Sequence, residues 1–566
     1  MHSTVALRSS RAFLMGGSML AMIMVAPSLA QAQQVAGGVE SVTVTGYAAS
    51  LQKATDAKRD ATNFTDSVFA EDIGKFPDTN IAESLNRIPG VTISREIDGS
   101  GVQVSIRGLG TNFTKVTLNN AQIAVASTGG TDGQNANREV DLNMFPSELF
   151  TQLTVSKSPT ADMIEGGAAG NVNLRSARPF DQEGFRVTYS GGAIDNSNAP
   201  AMGYRGALIV SDTWGPFGAL IGLAGVHNRV FTTGWEDGNS GWTNPALSAA
   251  QCSQATCNST GGGNFAIPAT VPANVTTGGL VPGTPITAAL LGQLNPGLSN
   301  FQIDSALIPR LGRSMYEDGH RDRYNGVASF EYRPSDSLHF YFDLIGGRIY
   351  NDFDRSDIDW VGRNGAVIPV NEQVDTNNVV TSGTFANSQF FLEARPYKER
   401  GDFFSMNPGM EWQLADKLRF DAQVNWSRSN FFRDSPTVLV NTPLSAGYPA
   451  GTPGPTAPAG GVFVTFKNPG AFQPPSITTN IDLNNPANFI WSGGRVNLDE
   501  EKRVTFTKGL HTNLAWGDEH FTVKGGLSFD DVGRTILGLG NSQPWQNATC
   551  GDNPSQYLPP PNPQPS

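Results

Sequence analysis

Charge is scarce in this chain. Asp, Glu, Lys and Arg make up 16% of its 566 residues, and 39 basic residues face 51 acidic ones, for a net charge of -12. That balance leaves no basic surface to follow a nucleic-acid backbone, so no nucleic-acid partner is expected. Long apolar runs are scarce as well. Beyond the N-terminal segment no stretch of about 18 uninterrupted apolar residues occurs, which excludes helical membrane spans there. An exported soluble protein or a membrane protein built from strands remains. Catalytic signatures are missing: the six His residues form no H-E-x-x-H array and no G-x-S-x-G elbow occurs. No enzyme activity, cofactor or metal site is therefore expected, and an exported hydrolase is left without a positive feature.

Cysteine is rare, with three residues. Cys252 and Cys257 stand five positions apart in a polar stretch, which in an exported protein suggests a small disulfide-closed loop. A Zn site there would need His or Cys partners that the neighbourhood lacks. Cys550 has no evident mate.

What is present begins with the N-terminus. Arg8 and Arg11 precede an apolar run that ends in the small-residue pattern Ser28-Leu29-Ala30 and Ala30-Gln31-Ala32, so residues 1–32 read as a secretory signal peptide. Gly16, Gly17 and Pro27 interrupt the run and argue against a membrane anchor. Residues 33–63 are polar and small, and only Val42-Thr43-Val44-Thr45 has strand character; the segment reads as a flexible arm with one adhesive stretch.

Residues 64–180 have the pattern of a compact α+β domain. A helix is expected from Asn80, where Asn80-x-x-Glu83 can form a capping box, and Ile81, Ala82, Leu85 and Ile88 share one face. Pro89-Gly90 ends it. Strands follow at Val91–Ile93, in "VQVSIRGLG" and "TKVTLNN", and at "LTVSKS". The glycine-rich "EGGAAGNVN" lacks the Lys-Ser/Thr ending of a phosphate loop, and tight turning is its expected use.

From residue 181 onward the hydrophobic period becomes two, in paired segments. Leu338, Phe340, Phe342 and Leu344 alternate with polar residues after the turn "PSDS"; Leu418, Phe420, Ala422, Val424 and Trp426 do so after "LADK", and Phe521, Val523, Leu527 and Phe529 after "WGDEH". A fourth pair turns at "SDTWG". Within pairs the turns are short. Between pairs the connections, roughly 231–320, 353–400 and 430–500, are long and rich in Gly, Pro and Asn. An outer-membrane barrel has this asymmetry, with an apolar face toward lipid. A soluble sandwich rarely carries such loops, or a complete polar face such as Arg419, Asp421 and Asn425. In the connections, Asp352, Asp354, Asp357 and Asp359 invite comparison with a Ca²⁺ loop, but they lack its glycine and distal Glu and read better as a solvated face. Trp235, Trp242, Trp360, Trp491 and Trp545 suit either ligand stacking or an interfacial girdle.

The stretches "SVFAEDIGKFPDTNIAESLNRIPGVTISRE", "VSIRGLG", "TLNNAQI" and "EVDLNMFPSELFTQLTVSKSPTADMIEGGAAGNVNLRSARPF" resemble the plug of TonB-dependent outer-membrane receptors of the long proteobacterial subfamily. The resemblance implies an α+β plug inside a transmembrane antiparallel β-barrel of 22 strands, of which about ten are countable in residues 181–566; the expectation is a truncated copy. It implies outer-membrane localisation in a Gram-negative bacterium, lipid around the barrel, and energy-coupled uptake of a small molecule or oligosaccharide. The energy would come from a TonB-type periplasmic partner of an inner-membrane proton-driven complex. Val42, Thr43, Val44 and Thr45 sit where the family's partner-binding box belongs, and an exposed Val/Thr segment can add to a sheet edge. Arg107 is either a solvated strand-end arginine or, by resemblance, a plug arginine paired with barrel carboxylates; Lys157 is a second candidate. A passive porin-like or adhesin-like barrel, which needs no box, is the alternative.

Overall fold

The computed structural model describes residues 47–540 except 71–79, 97, 126–138, 238–240, 253–256, 258–264, 363–365, 445–457, 471–472, 498 and 519. It opens with helix α1 (Tyr47–Asp60), so part of the segment expected to be a flexible arm is helical. The reason is local. The sequence YAASLQKATDAKRD contains no Gly or Pro, Gln52 donates to Asp56 one turn on, and Arg59 pairs with Asp56 at 2.7 Å.

A five-stranded sheet follows, from β1 (Thr65–Phe69), with α2 (Ile81–Asn86), β2 (Val91–Arg95) and β3 (Gly101–Ile106) set beside it. The sheet is completed by β4 (Thr114–Leu118), β5 (Ala121–Gln122), β6 (Phe150–Ser156) and β7 (Gly170–Ser176). The order is β1-β6-β7-β4-β5, with β4 and β7 parallel. Asn80 caps α2 by accepting from the Ala82 N–H at 2.7 Å, but the expected capping box is not closed: Glu83 is engaged by Arg95 instead. Ile81, Ala82 and Leu85, with no exposed surface, pack into one core with Phe145, Leu153, Val172 and Leu174. Burial of each large apolar side chain there contributes roughly 1.5–3 kcal/mol.

The rest of the chain builds β8 (Arg186–Ile194), β9 (Gly203–Trp214), β10 (Phe217–Asp237), β11 (Trp242–Thr243), β12 (Ile308–Pro309), β13 (Leu311–Ser335) and β14 (Leu338–Val361). It continues with β15 (Ile368–Val374), β16 (Val380–Ala386), β17 (Phe390–Ala415), β18 (Leu418–Asp434) and β19 (Thr437–Asn441). The last strands are β20 (Phe463–Lys467), β21 (Ser476–Thr479), β22 (Ile490–Asn497), β23 (Asp499–Gly517) and β24 (Thr522–Gly540). Nine of them form one antiparallel wall, β8-β9-β10-β13-β14-β17-β18-β23-β24, and β19 and β22 attach to β17. Among the described residues, β8 and β24 pair on one side only, so the wall is an open sheet. No helix among the described residues is long and apolar enough to cross a membrane.

The outward face is apolar, as the alternation requires: Ile221, Leu223, Leu527 and Phe529 are 57–80% exposed. On the inward face Asn425, Ser427 and Ser429 are buried, and Ser427 bonds the α+β domain.

The connections differ from the expected loops. The strands run on into them, and they fold into a cap with cores of its own. The sheet β15-β16-β20-β21 packs Phe385 and Phe466 around Trp360, at 5.1 and 5.6 Å between ring centres. Helices α3 (Ala288–Leu294) and α4 (Asn300–Ser305) close a second core against Ile368 and Val370. Cys252 and Cys257 are disulfide-bonded at its border, their Cα atoms 6.0 Å apart.

Candidate functional site

The surface with the most distinctive chemistry is the contact between the α+β domain and the wall. Its lower part begins at the β4–β5 turn, where Asn119 and Asn120 both have positive φ, 49° and 64°, as a tight hairpin needs. That turn aims Asn119 at two neighbours. Its amide accepts from the Ser176 N–H at 3.0 Å and donates to Asp343 on β14 at 3.1 Å. Arg178, two residues beyond β7, donates Nη2 to the same carboxylate at 2.7 Å, with its guanidinium 3.8 Å above the Tyr341 ring. Ser329 donates to the other carboxylate oxygen at 2.7 Å. The Asp343 side chain is 3% exposed and that of Arg178 13%, so the pair holds in a site with little water to replace either partner. Next to it, Glu331 accepts from the Phe180 N–H at 2.7 Å and lies 2.8 Å from His339 Nε2.

Along the β5 side, wall side chains take the place of a missing strand. The Ser427 hydroxyl accepts from the Ala124 N–H at 2.9 Å, Gln423 donates to the Asn119 carbonyl at 2.9 Å, and Thr507 donates to that of Gln122 at 3.0 Å. Arg534 donates to the Val125 carbonyl at 3.2 Å. Between this edge and β23–β24 lies a cavity of about 540 Å³ lined by Lys115, Glu165, Asp530 and Arg534 among others.

Higher up, Arg323 donates to the Asn143 carbonyl at 2.6 Å and Asn325 to that of Met144 at 3.0 Å. Arg321 pairs with Asp98 at 3.1 Å and donates to Asn351 at 2.9 Å; Asn351 donates to Glu399 at 2.7 Å, and Arg433 reaches Glu399 at 2.7 Å. A polar chain thus runs from the domain's tip across β13, β14, β17 and β18. Burial lifts the Glu96 carboxyl at that tip to about 7, with Arg321 pulling it down and Asp141, Glu399 and Asp98 pushing it up. Apolar contacts complete the interface: Phe145 meets Phe403 edge-on at 5.2 Å, and a Cβ on Gly401 would come within 2.8 Å of both Met144 and Ile349.

Of the residues singled out from sequence, Val42, Thr43, Val44 and Thr45 lie outside the described residues, as do Cys550 and Trp545. Arg107 is exposed in a turn with φ 56°, its N–H donating to the Gly90 carbonyl at 2.7 Å. Among the described residues its side chain has no ion pair with the wall, in contrast to the expected plug–barrel contact. Lys157 also departs from that expectation: its ammonium is spent within the domain, on Asp66 at 2.5 Å and the Pro89 carbonyl at 2.7 Å. Burial works to raise the Asp66 carboxyl, and Lys157 and Lys58 overcome it and hold it below the usual carboxylate range. The four aspartates are strand residues, not loop residues. Asp357 and Asp359 are fully buried on the inward face with Arg355 and Arg313, while Asp352 and Asp354 occupy outward positions of β14, so the four share no site. Trp235 belongs to β10, and Trp360 is a core residue of the cap. Sequence reasoning missed Arg178, Asn119 and Asp343. One signal existed for Asp343: it is the single acid in the apolar stretch "LHFYFDLIGG".

An α+β domain bonded to the inward face of a long antiparallel wall, with the apolar face turned out, defines a plugged-barrel protein. Residues 57–172 match the TonB-dependent Receptor Plug Domain, so the α+β domain is a plug domain of that family. No curated protein matches the chain. Among solved structures, it is similar to BauA, the ferric preacinetobactin receptor from Acinetobacter baumannii, at 13% identity over 85% of this chain and 60% of that one, with a TM-score of 0.34. It is similar to the unliganded ferric citrate transporter FecA at 12% identity over 88% and 63%, TM-score 0.30, and to the RagAB peptide transporter at 11% over 83% and 57%, TM-score 0.29. The chain thus spans about 60% of the length of these proteins. At these scores the assignment rests on the plug match and holds for the α+β domain.

Proposed function

We propose that this chain is the plug and part of the wall of an energy-coupled outer-membrane importer. The observation that carries the reading is the composition of the plug–wall contact. The plug is held by hydrogen bonds and ion pairs to Asp343, Ser427, Arg323 and Arg321, set around an apolar patch where Met144, Phe145 and Leu149 join Val327, Ile345, Ile349 and Phe403 of the wall. Polar groups of this kind can exchange partners with entering water, so the polar part of the contact can yield to a pull, while the apolar patch around Phe145 and Phe403 sets the resistance to displacement. The Arg178–Asp343 clamp stands at the junction where the plug leads into the wall, which suits a point that stays fixed while the rest yields.

In this reading residues 42–45 are the handle for a TonB-type partner, which pulls by strand addition, and the inner-membrane proton gradient supplies the work. No catalytic residue or nucleotide is required. A scarce small molecule, a ferric siderophore or an oligosaccharide, is the cargo. The wall needs further strands on β8 and β24 to close, because unpaired backbone groups in lipid cost several kcal/mol each by general estimate.

The test is binding of a peptide spanning residues 39–46 to the periplasmic domain of a TonB-type protein, paired with uptake by a receptor with a closed wall carrying or lacking that segment. Binding by the native peptide, its loss on Val44→Pro, and loss of uptake without the segment are expected. Unchanged uptake would refute energy coupling and favour a passive porin-like barrel.

A further inference from the structure

Beyond the plug tip, toward the cap, the inward face of the wall carries a knot of buried charge that the import reading does not use. Strand registers stack it in three rows. Glu317, Arg355 and Arg395 lie abreast on β13, β14 and β17; Asp357 and Glu393 form the next row, and Glu236, Arg313 and Asp359 the one beyond it on β10, β13 and β14. Strand alternation puts all eight on one face. Arg313 reaches Asp359 at 2.8 Å and Glu236 at 2.9 Å, Arg355 reaches Asp357 at 2.9 Å, and Arg395 reaches Glu393 at 2.6 Å.

The charges do not balance. Five carboxylates meet three guanidiniums, and Arg313, Arg355, Glu317, Asp357, Asp359 and Glu393 each keep 5% or less of their surface exposed. Glu317 has no ion pair among the described residues, and one oxygen each of Glu317 and Asp359 is buried with no hydrogen-bond partner. The neighbours do not make up the difference. On the plug side Arg321 pairs with Asp98 at 3.1 Å and also faces Glu96, Asp141 and Glu399, and Arg433 holds Glu399 at 2.7 Å. The buried Tyr397 lies between the two levels, and toward the cap Arg310 faces Asp237. Among the described residues no three His, Cys, Asp or Glu side chains are arranged to hold a metal ion. Unbalanced carboxylates in so dry a place take up protons. Burial lifts the Glu317 carboxyl to about 7, with Arg355 and Arg321 pulling it down and Asp98 and Asp357 pushing it up. It lifts Asp359 to about 7 as well, against the pull of Arg313 and with Glu393 and Asp357 adding to the rise. These groups stand clear of a bilayer: Glu317 is 15 positions along β13 from Tyr332 at the tight turn, about 35 Å of tilted strand against an apolar band of about 25 Å.

We propose that this knot is a proton latch: it takes up protons when the strand extensions close beneath the cap and gives them up when those extensions part, so the cap side is tight in acid and loosens toward alkaline pH. The sign follows from the direction of the shifts. The folded values are the raised ones, so the contribution of the neutral acids is fully present below their ordinary 4.5 and 3.8 and is lost as pH rises through about 7. The latch does not depend on the import reading.

The test is hydrogen exchange of the 313–317 and 355–359 amides in the full chain in detergent micelles, between pH 5 and 8.5 with intrinsic rates divided out. Glu372→Gln is present throughout, so that the buried acid of β15 adds no slope of its own. Each proton released on opening contributes up to a tenfold loss of protection per pH unit, so the two acids together are expected to give up to about a hundredfold per unit above pH 7. Glu317→Gln should reduce that slope to about tenfold, and Glu317→Gln/Asp359→Asn should flatten it. Asp354→Asn, an exposed outward position on the same strand, should leave it unchanged. Parallel profiles for the chains with and without Glu317→Gln overturn the latch. So does recovery of protection at pH 8 on adding millimolar Ca²⁺, which marks a metal ion as the balancing charge. Infrared spectra keep the test open where the double variant does not fold: protonated-carboxyl absorption at pH 6 should diminish with Glu317→Gln alone, and an unchanged band refutes the proposal.

Discussion

Glu372 offers the sharpest test of the cap. It lies on β15 with 2% of its surface exposed, and one carboxyl oxygen is buried with no hydrogen-bond partner. Its backbone N–H donates to Asn295 at 3.0 Å, and the Cβ position of Gly383 crowds its Cα at 3.3 Å. Burial alone lifts the carboxyl from its ordinary 4.5 to about 8. The folded cap therefore holds it as the neutral acid, whereas an opened cap lets it ionise. Because the folded pKa is the raised one, its contribution is fully present below about 4.5 and is lost as pH rises through about 8. At about 1.4 kcal/mol per unit, the loss is roughly 3 kcal/mol by pH 7 and about 5 kcal/mol by pH 8, as upper values. The perturbation is Glu372→Gln, which keeps the shape and removes the titration. The assay is hydrogen exchange of β15 and β16 amides between pH 5 and 8, with intrinsic rates divided out. Protection in the native chain should fall up to about tenfold per pH unit relative to the variant, which should change little. Parallel pH profiles for the two proteins would refute the buried neutral acid.

Other consequences follow from the plug. Asp343→Ala leaves Arg178 buried without its carboxylate and should loosen plug docking by roughly 3–5 kcal/mol, seen as faster exchange in the β4–β5 turn. Gly401→Leu drives a side chain into Met144 and Ile349 and should cost about 1–3 kcal/mol in the urea midpoint, with the loss concentrated at the interface. The Asp66 carboxyl, held below its ordinary 3.8, contributes above that value and loses its contribution as pH falls toward the folded pKa. Asp66→Asn should therefore weaken β1–β6 pairing at pH 7 and match the native chain in strong acid, as exchange or acid titration can show. Reducing Cys252–Cys257, or Cys252→Ser, removes a short ring and should lower cap stability by roughly 2 kcal/mol in a denaturant titration, with little effect on the plug.

By itself the sequence determined whatever depends on period and local chemistry. The alternation through Leu338–Leu344 and Leu418–Trp426 sufficed for paired wall strands with an apolar outer face, because side chains on a strand can only alternate. Asn80 and the apolar stripe of Ile81, Ala82 and Leu85 sufficed for α2, and two cysteines five apart in a polar stretch suggested the disulfide. Only the tertiary structure decided which polar groups meet across the plug–wall contact. Arg107 and Arg178 look alike in sequence, yet one is exposed in a left-handed turn and the other lies against Asp343, 165 positions away. Nothing local distinguishes them, since a carboxylate brought close by strand order leaves no mark near the arginine it will pair with. The cap was hidden for the same reason. Its strands are short and its core joins Phe265, Trp360, Phe385 and Phe466, so residues that read as loop singly become a core when the wall brings them together.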